Sequence, residues 1–420
     1  MARLIYTLVV LALMPWAILH LLWRARKQPE YLRHWGERFG YFAATDGQGF
    51  PKPTIWLHAV SVGETRAAQP LVTALRERYP DHRILFTHMT PTGRATSEAL
   101  FGDSVDRIYL PYDTPWAMRR FLRHYRPVLG LIMETELWPN LIAACTQAKV
   151  PLRLVNARLS ARSARRYALF HALAREALQG LVAIGAQSAA DAERLEALGA
   201  QRVTVTGNIK FDIEAPPEQL QLAREFRARY GSRHVWVAAS TREGEEVLIL
   251  DAWQRAGPDE ALLVIVPRHP QRFDEVMRLA SERGFAVQRR SDNAAIAAFT
   301  QVLIGDSMGE MFAFYASADI AFIGGSLLDF GSQNLIEAAA CGTPILIGPS
   351  TRNFAEAARA AIDCGAALAI LDADDLVSEV NALLSSAERR RQMSAAGRAF
   401  AERHRGATAR TLELISRAVR

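Results

Sequence analysis

The sequence predicts an α/β protein built from two wound parallel sheets, preceded by an apolar N-terminal helix. Three observations predict it. From residue 54 onward, short apolar runs alternate with longer amphipathic ones, the βαβ rhythm of a parallel sheet. A polar segment, residues 211–233, carries a Pro-Pro pair and many charges, and interrupts that rhythm once before a second series begins. Leu4 to Trp23 runs without a formally charged side chain.

The N-terminal stretch is long enough to cross a hydrocarbon core as a helix. His20, Thr7 and Pro15 weaken it slightly, and Trp16 and Trp23 suit an interface. Arg24, Arg26, Lys27, Arg33 and Arg38 follow it, opposed by Glu30 and Glu37, whereas only Arg3 precedes it. The positive-inside rule then places the rest of the chain in the cytoplasm. A cleaved signal peptide is disfavoured, because the leading charge is small and no small-x-small site follows. A spanning helix and one lying in a single leaflet both stay open.

The first series of strands reads IWLHAV, RILFTHM, RIYLPY, VLGLIME, LRLVNAR, GLVAIGA and RVTVTGN. The second reads HVWVAAS, ALLVIVP, FAVQR, QVLIGD, DIAFIGG, TPILIGP and ALAILD. A chain of 420 residues, half of them hydrophobic, suits two domains of ordinary size. The expected division is an anchor and basic flank (1–27), an N-terminal Rossmann-like domain (28–210), a linker with a helix (211–233), a C-terminal Rossmann-like domain (234–400) and a C-terminal helix (401–420) packing back on the first domain. The net charge of +6 points to acidic partners, but no aromatic-interleaved basic motif supports nucleic acid. Cys145, Cys341 and Cys364 are scattered without ligand spacing, which fits a reducing compartment and no zinc site.

Several motifs end strands, the edge at which open α/β sheets bind ligands. IWLHAVSVGE brings Glu64 to a strand-to-helix turn, where it is a candidate general base. Ser61-Val62-Gly63-Glu64 equally fits a capping box, in which Glu64 only satisfies the helix N-terminus. METELWPN ends a strand with Glu134 and Glu136, which share a face if the backbone stays extended. Two carboxylates so placed raise each other's pKa unless a cation or donor is near; a solvated helix-capping loop is the plainer reading. TGNIKFD puts Lys210 after a strand, as a cation for developing charge or as an ordinary exposed lysine.

In the second half, VPRHPQRF sets Arg268 and His269 after a strand. GDSMGE sets Met308, Gly309 and Glu310 at a helix start, where free amides favour phosphate. FIGGSLLDFGSQNLIEAAACG allows close backbone approach at Gly324 and Gly325, then brings Asn334 and Glu337 to the next helix; a carboxylate there can accept both ribose hydroxyls. No dinucleotide fingerprint or Walker loop is present. Asp372-Ala373-Asp374 is read as a helix cap.

Together, HAVSVGE, MTPTGR, LPYD, METELWPN, NARLSARSA, GNIKFD, VPRHPQRF, GDSMGE and FIGGSLLDFGSQNLIEAAACGTPILIGP resemble the 3-deoxy-D-manno-octulosonic acid (Kdo) transferases of lipopolysaccharide synthesis. RHWGERFGYF resembles that family's juxtamembrane segment. The resemblance implies a GT-B glycosyltransferase architecture: two Rossmann-like domains facing a cleft, plus the N-terminal membrane helix. It implies inverting, metal-independent transfer without a cofactor, from CMP-Kdo to a lipid A precursor (lipid IVA), on the cytoplasmic side of the inner membrane. It implies catalytic roles for Glu64, Glu134 and Lys210. It implies substrate contacts from Pro267, Arg268, His269, Met308, Gly309, Glu310, Asn334, Leu335, Ile336 and Glu337. The loop reads GSQN where the family commonly has GGHN, and TREGEE where it often has THEGEE, which leaves contacts at Ser332, Gln333 and Arg242 open. The alternatives are a membrane-tethered GT-B transferase with another nucleotide-sugar donor, and a non-catalytic nucleotide-binding module.

Overall fold

The computed structural model describes residues 1–26, 28–43, 50, 52–258 and 260–416; Lys27 of the basic flank and residues 417–420 of the expected C-terminal helix lie outside them. The chain forms two units, Met1–Asp212 with Arg405–Arg420, and Ile213–His404.

The first unit holds β1 (Thr54–His58), β2 (Arg83–His88), β3 (Asp106–Tyr109), β4 (Pro127–Met133), β5 (Leu152–Ala157), β6 (Ala183–Ala186) and β7 (Val203–Val205). They lie in the order β3-β2-β1-β4-β5-β6-β7, and all pair in parallel. The order reverses between β1 and β4, so a crevice opens at their carboxyl ends. Register sets His58 of β1 beside both Thr87 and Ile132, so these neighbouring strands end level. All five residues of β1 are buried, as both faces of a parallel sheet are covered by helices. Gly130 makes room for the Trp56 indole: a Cβ there would lie 2.6 Å from Leu152 Cδ1 and 2.8 Å from Trp56 Cε3.

The second unit repeats the scheme with β8 (Val235–Thr241), β9 (Leu262–Pro267), β10 (Val287–Arg289), β11 (Val302–Ile304), β12 (Ile320–Ile323), β13 (Ile345–Ile347) and β14 (Ala367–Ala369). Their order is β10-β11-β9-β8-β12-β13-β14, with the reversal between β8 and β12. Each apolar run read from the sequence overlaps one of these fourteen strands, with bounds that differ by at most a few residues.

Two helical segments divide where backbone chemistry demands it. The stretch after β1 is continuous only in sequence: it forms a short helix, Val62–Ala67, and a second, Gln69–Arg78, with Pro70 in the latter's first turn. Proline has no N–H to continue the first helix but suits the start of the next. The C-terminal stretch likewise splits into Ala387–His404 and Ala407–Ser416 around Gly406, whose φ is +84°. The segment 211–233 contributes a helix, Pro217–Tyr230, to the second unit. Asp372 caps the helix Ala373–Leu384, its carboxylate accepting Asp375 N–H at 2.9 Å.

The N-terminal helix α1 spans Ala2–Ala25. Arg38, expected as a basic group beside the bilayer, is instead buried. Its guanidinium stacks 3.9 Å from the Tyr109 ring centroid and donates to Met89 O at 3.1 Å. Glu37 accepts from Tyr109 N–H at 2.7 Å and from Arg94 at 3.1 Å. RHWGERFGYF therefore docks on the end of β3, because its paired charges find partners there that water does not outcompete.

Candidate active site

In the first unit, the turn after β1 aims Glu64 from the helix Val62–Ala67, at the crevice beside β4. Ser61 Oγ accepts the Glu64 N–H at 3.3 Å, while the Glu64 carboxylate accepts Val60 N–H at 2.7 Å and the Ser61 hydroxyl at 3.0 Å. Half of the capping box foreseen in the sequence is thus formed: Ser61 caps the helix, but the Glu64 carboxylate takes the Val60 amide instead of the amide of Ser61. It also fixes the carboxylate's orientation. Burial pushes Glu64 above the usual carboxylate range, the Val60 amide opposes this, and the Glu134 charge adds to the rise.

Glu134 follows β4. The extended backbone expected for it is not found: its φ is +55°, and residues 134–135 form a bend. Left-handed backbone in a residue with a β-carbon is strained, and such strain persists where surrounding contacts hold it. Here Glu134 N–H donates to Val155 O at 3.0 Å, and the Thr135 hydroxyl donates to Arg158 O. The Glu134 carboxylate accepts from Lys210 Nζ at 3.1 Å, with both side chains about a quarter exposed. Lys210 is held by a chain of asparagines. Asn156 Oδ1 at the end of β5 accepts Ile209 N–H at 3.0 Å, and Asn208 Oδ1 accepts Lys210 N–H at 3.0 Å. The structure therefore brings Glu64, Glu134 and Lys210 into one electrostatic group at the reversal of the sheet.

A fourth member, Glu136, is pushed up to about 7 by burial and by the charges of Glu64 and Glu134. His58, within the same motif as Glu64, is not part of the group. Burial lowers it to about 4, so it is neutral at physiological pH, and its Nδ1 lies 2.8 Å from Thr87 Oγ1.

In the second unit, the loops after β8, β9 and β12 meet at the reversal of that sheet. Glu245, fully buried, ties two of them: it accepts N–H groups from Arg242 at 2.8 Å, Gly325 at 2.6 Å and Leu327 at 2.9 Å. Gly324 is required there, since a Cβ would come within 2.6 Å of Ser240 O. Pro267 is the buried last residue of β9, and Arg268 N–H donates to Thr241 O at 3.0 Å. His269 is exposed; partial burial lowers its pKa, followed by the neighbouring cations Arg242, Arg268 and Arg272. Arg272 is anchored to buried Glu246 at 2.6 Å, and Arg242 lies 4.5 Å over the Phe330 ring.

Met308 and Gly309 precede the helix Met311–Ser317, with Glu310 at its cap and bound to Arg290 at 3.0 Å. Asn334 precedes the helix Ile336–Cys341, accepts Ile336 N–H at 3.0 Å and donates to Glu337 Oε1 at 3.0 Å. Leu335 and Ile336 point into the core, which leaves only their backbones for a ligand. Among the described residues, no group of three or more His, Cys, Asp or Glu side chains is arranged to hold a metal ion.

The sequence model for 3-deoxy-D-manno-octulosonic-acid transferase (kdotransferase) matches residues 33–213, and that for group 1 glycosyl transferases matches residues 259–400. The 3-deoxy-D-manno-octulosonic acid transferase of Bordetella pertussis is 44% identical, the alignment covering 99% of each chain. That of Haemophilus influenzae is 39% identical, over 99% of this chain and 98% of its own. This chain belongs to the 3-deoxy-D-manno-octulosonic acid transferase family. It is a glycosyltransferase. Solved structures share the two-unit wound fold of the GT-B class. A UDP-GlcNAc 2-epimerase from Neisseria meningitidis bound to UDP-GlcNAc matches with a TM-score of 0.59, 14% identity and coverage of 87% of this chain and 100% of its own. A glycosyltransferase from Rickettsia africae matches with a TM-score of 0.58, 13% identity and coverage of 88% and 100%.

In this Kdo transferase, the environments of two residues are set by groups distant in sequence. Glu136 was visible as one of a carboxylate pair, but its raised pKa comes from burial and from Glu64, which local sequence does not report. No local signal in the sequence marks Glu245 for its task, because the loop that it holds lies 80 residues away. Arg242, whose contacts the sequence leaves open, lies with Arg268 and Arg272 around His269.

Proposed function

We propose that this Kdo transferase moves Kdo from CMP-Kdo to a lipid A precursor, lipid IVA, with inversion and without a metal ion, in lipopolysaccharide synthesis at the cytoplasmic face of the inner membrane. The observation that carries the catalytic part is the union of Glu64 with the Glu134–Lys210 pair at the β1/β4 reversal. A sugar hydroxyl is too weak an acid to attack unaided. A carboxylate of raised pKa, held by Val60 and Ser61 with lone pairs to spare, suits proton removal as the new bond forms. Lys210, held 3.1 Å from Glu134, supplies a cation for the charge that develops in the transition state. Glu134 holds that lysine in place.

Donor binding is assigned to the second unit. CMP-Kdo carries a phosphate and a carboxylate, and the cations Arg242, Arg268 and Arg272 crowd one strand edge there. The Asn334–Glu337 pair presents an oriented carboxylate suited to ribose hydroxyls. The Met308-Gly309 backbone, with φ of +82° at Gly309, suits close approach of a phosphate. As CMP departs, its phosphate gains charge, and these fixed donors meet it without a metal.

The deciding experiment is transfer from CMP-Kdo to lipid IVA by purified wild-type and Glu64→Gln protein, with product mass and anomeric configuration determined. The expected result is one configuration, inverted from the donor, formed by the wild type in the presence of chelator. Glu64→Gln is expected to bind CMP normally and lose transfer by roughly 10²–10⁴-fold. Wild-type turnover by the variant would refute the assignment of the base.

A further inference from the structure

The N-terminal helix poses a geometric problem. Burial along α1 repeats with helical period: Tyr6, Thr7, Val10, Leu11, Met14, Ile18, Leu21 and Ala25 are covered to varying degrees by the first unit. The opposite side is exposed and apolar, from Leu4 through Leu8, Leu13 and Trp16 to Trp23. From Leu4 to Trp23 the rise is about 28 Å, close to the thickness of a bilayer's hydrocarbon core.

Polar bonds hold the start of this helix, and packing contacts hold its end, to the same folded unit. Near its start, the Tyr6 hydroxyl donates to Asp113 Oδ2 at 3.0 Å, and the Thr7 hydroxyl donates to Asn140 Oδ1 at 3.0 Å. Arg3 lies 3.5 Å from Glu176. Asp113 is itself buried and accepts the Asn140 and Leu141 amides at 3.0 and 2.8 Å, so the latch is rooted in the start of the helix Pro139–Gln147. Near its end, Leu21 and Ala25 pack with Tyr31, over which Arg24 lies at 4.4 Å. A helix that crossed a bilayer would hold Tyr6 and Ala25 on opposite sides of it. Tyr31 leads directly to Glu37, which accepts the Tyr109 amide at the end of β3, close to Asp113, so both ends of the helix meet one folded unit and cannot be on opposite sides.

We infer that α1 does not span the membrane: it lies along the first unit and inserts its exposed face into one leaflet of an anionic bilayer. The occupant of that face is lipid, because the face is uncharged along its length and ends in exposed Arg24, Arg26 and Arg33, which complement anionic headgroups. Trp16 and Trp23 on the same face suit the headgroup boundary. The inference rests on the proposed lipid acceptor, and adds how the site is held against the surface that carries it.

The test is the accessibility of residue 2. Full-length Ala2→Cys is made in a Gram-negative host and treated with a membrane-impermeant maleimide, in intact spheroplasts and in inside-out inner-membrane vesicles. Peptide mass spectrometry separates the label from Cys341 and Cys364. Label on residue 2 in the inside-out vesicles alone is the expected result. Label in spheroplasts would overturn the inference while leaving the lipid acceptor untouched. A second variant, Leu13→Glu with Trp16→Glu, is expected to keep its circular dichroism and to bind vesicles of phosphatidylethanolamine and phosphatidylglycerol about tenfold less tightly. Undiminished vesicle binding, or a purified wild type whose exposed face is covered by a second copy and ignores vesicles, would also overturn it. Kdo transfer to a detergent-dispersed acceptor reads the proposed activity separately from all of these.

Discussion

Glu64 performs a local task whatever else it does: it completes a cap. Glutamine in its place keeps an acceptor for Val60 N–H but cannot take a proton, so Glu64→Gln is expected to cost about 1 kcal/mol or less in stability. A large fall in melting temperature with a near-normal rate would mark the residue as a cap alone. The pH profile carries the electrostatic sign. A base whose pKa is raised loses activity at a higher pH than an ordinary carboxylate as acid is added. Removing the Glu134 charge lowers the Glu64 pKa, so Glu134→Gln is expected to move the acid limb of kcat/KM to lower pH. Removing the Lys210 cation, as in Lys210→Met, is expected to move the residual limb to higher pH. Glu136 reports on stability instead. Its folded pKa of about 7 exceeds the ordinary value of 4.5, so the folded state holds the proton more tightly than the unfolded one. The stabilisation is complete below about pH 4.5 and is lost as pH rises through 7. Glu136→Gln is therefore expected to narrow the difference in unfolding free energy between pH 5 and pH 8 by about 2 kcal/mol, allowing for partial exposure.

Among the elements, the C-terminal helix Ala407–Ser416 has the clearest consequence for the site. Asp212, two residues after Lys210, accepts Gly406 N–H at 2.6 Å and the Ala407 and Thr408 amides, capping that helix. Arg410 Nε reaches Thr206 O at 2.8 Å, and Arg153 Nε reaches Leu414 O at 3.2 Å. The helix thereby holds the Lys210 loop against β5 and β6. Asp212→Ala is expected to destabilise the first unit by about 1–2 kcal/mol, with faster amide exchange at residues 206–212. It should lower kcat more than it raises KM for the donor. Such coupling is invisible locally: GNIKFD announces a strand end, but nothing near Asp212 in sequence reveals that its partner begins at residue 406. The strands were legible for the opposite reason. In a parallel sheet covered on both faces, each strand must be a short, nearly continuous apolar run, and Pro, Gly and charge bound it.

Across the whole molecule, the two units share one construction and put different chemistry at equivalent edges. The β1/β4 reversal gathers carboxylates and one lysine; the β8/β12 reversal gathers arginines. Arg268→Ala is expected to raise KM for the nucleotide donor about tenfold with a smaller change in kcat, and the defect should shrink at high salt as the wild type is screened. Equal salt dependence in both proteins would remove Arg268 from donor binding.

Composition, apolar rhythm and ordered motifs determined by themselves that this is a two-unit wound α/β protein of the Kdo transferase family, because strand burial and strand-end chemistry are written in contiguous residues. Tertiary structure alone decided that Glu134 sits in left-handed backbone beside Lys210, that Glu136 is driven towards neutrality, that Arg38 turns inward, and that Tyr6 is latched to Asp113. Each of these depends on the field or the hydrogen-bonding partner supplied by residues far along the chain, and a sequence read locally carries no record of which distant groups folding will bring within a few ångströms.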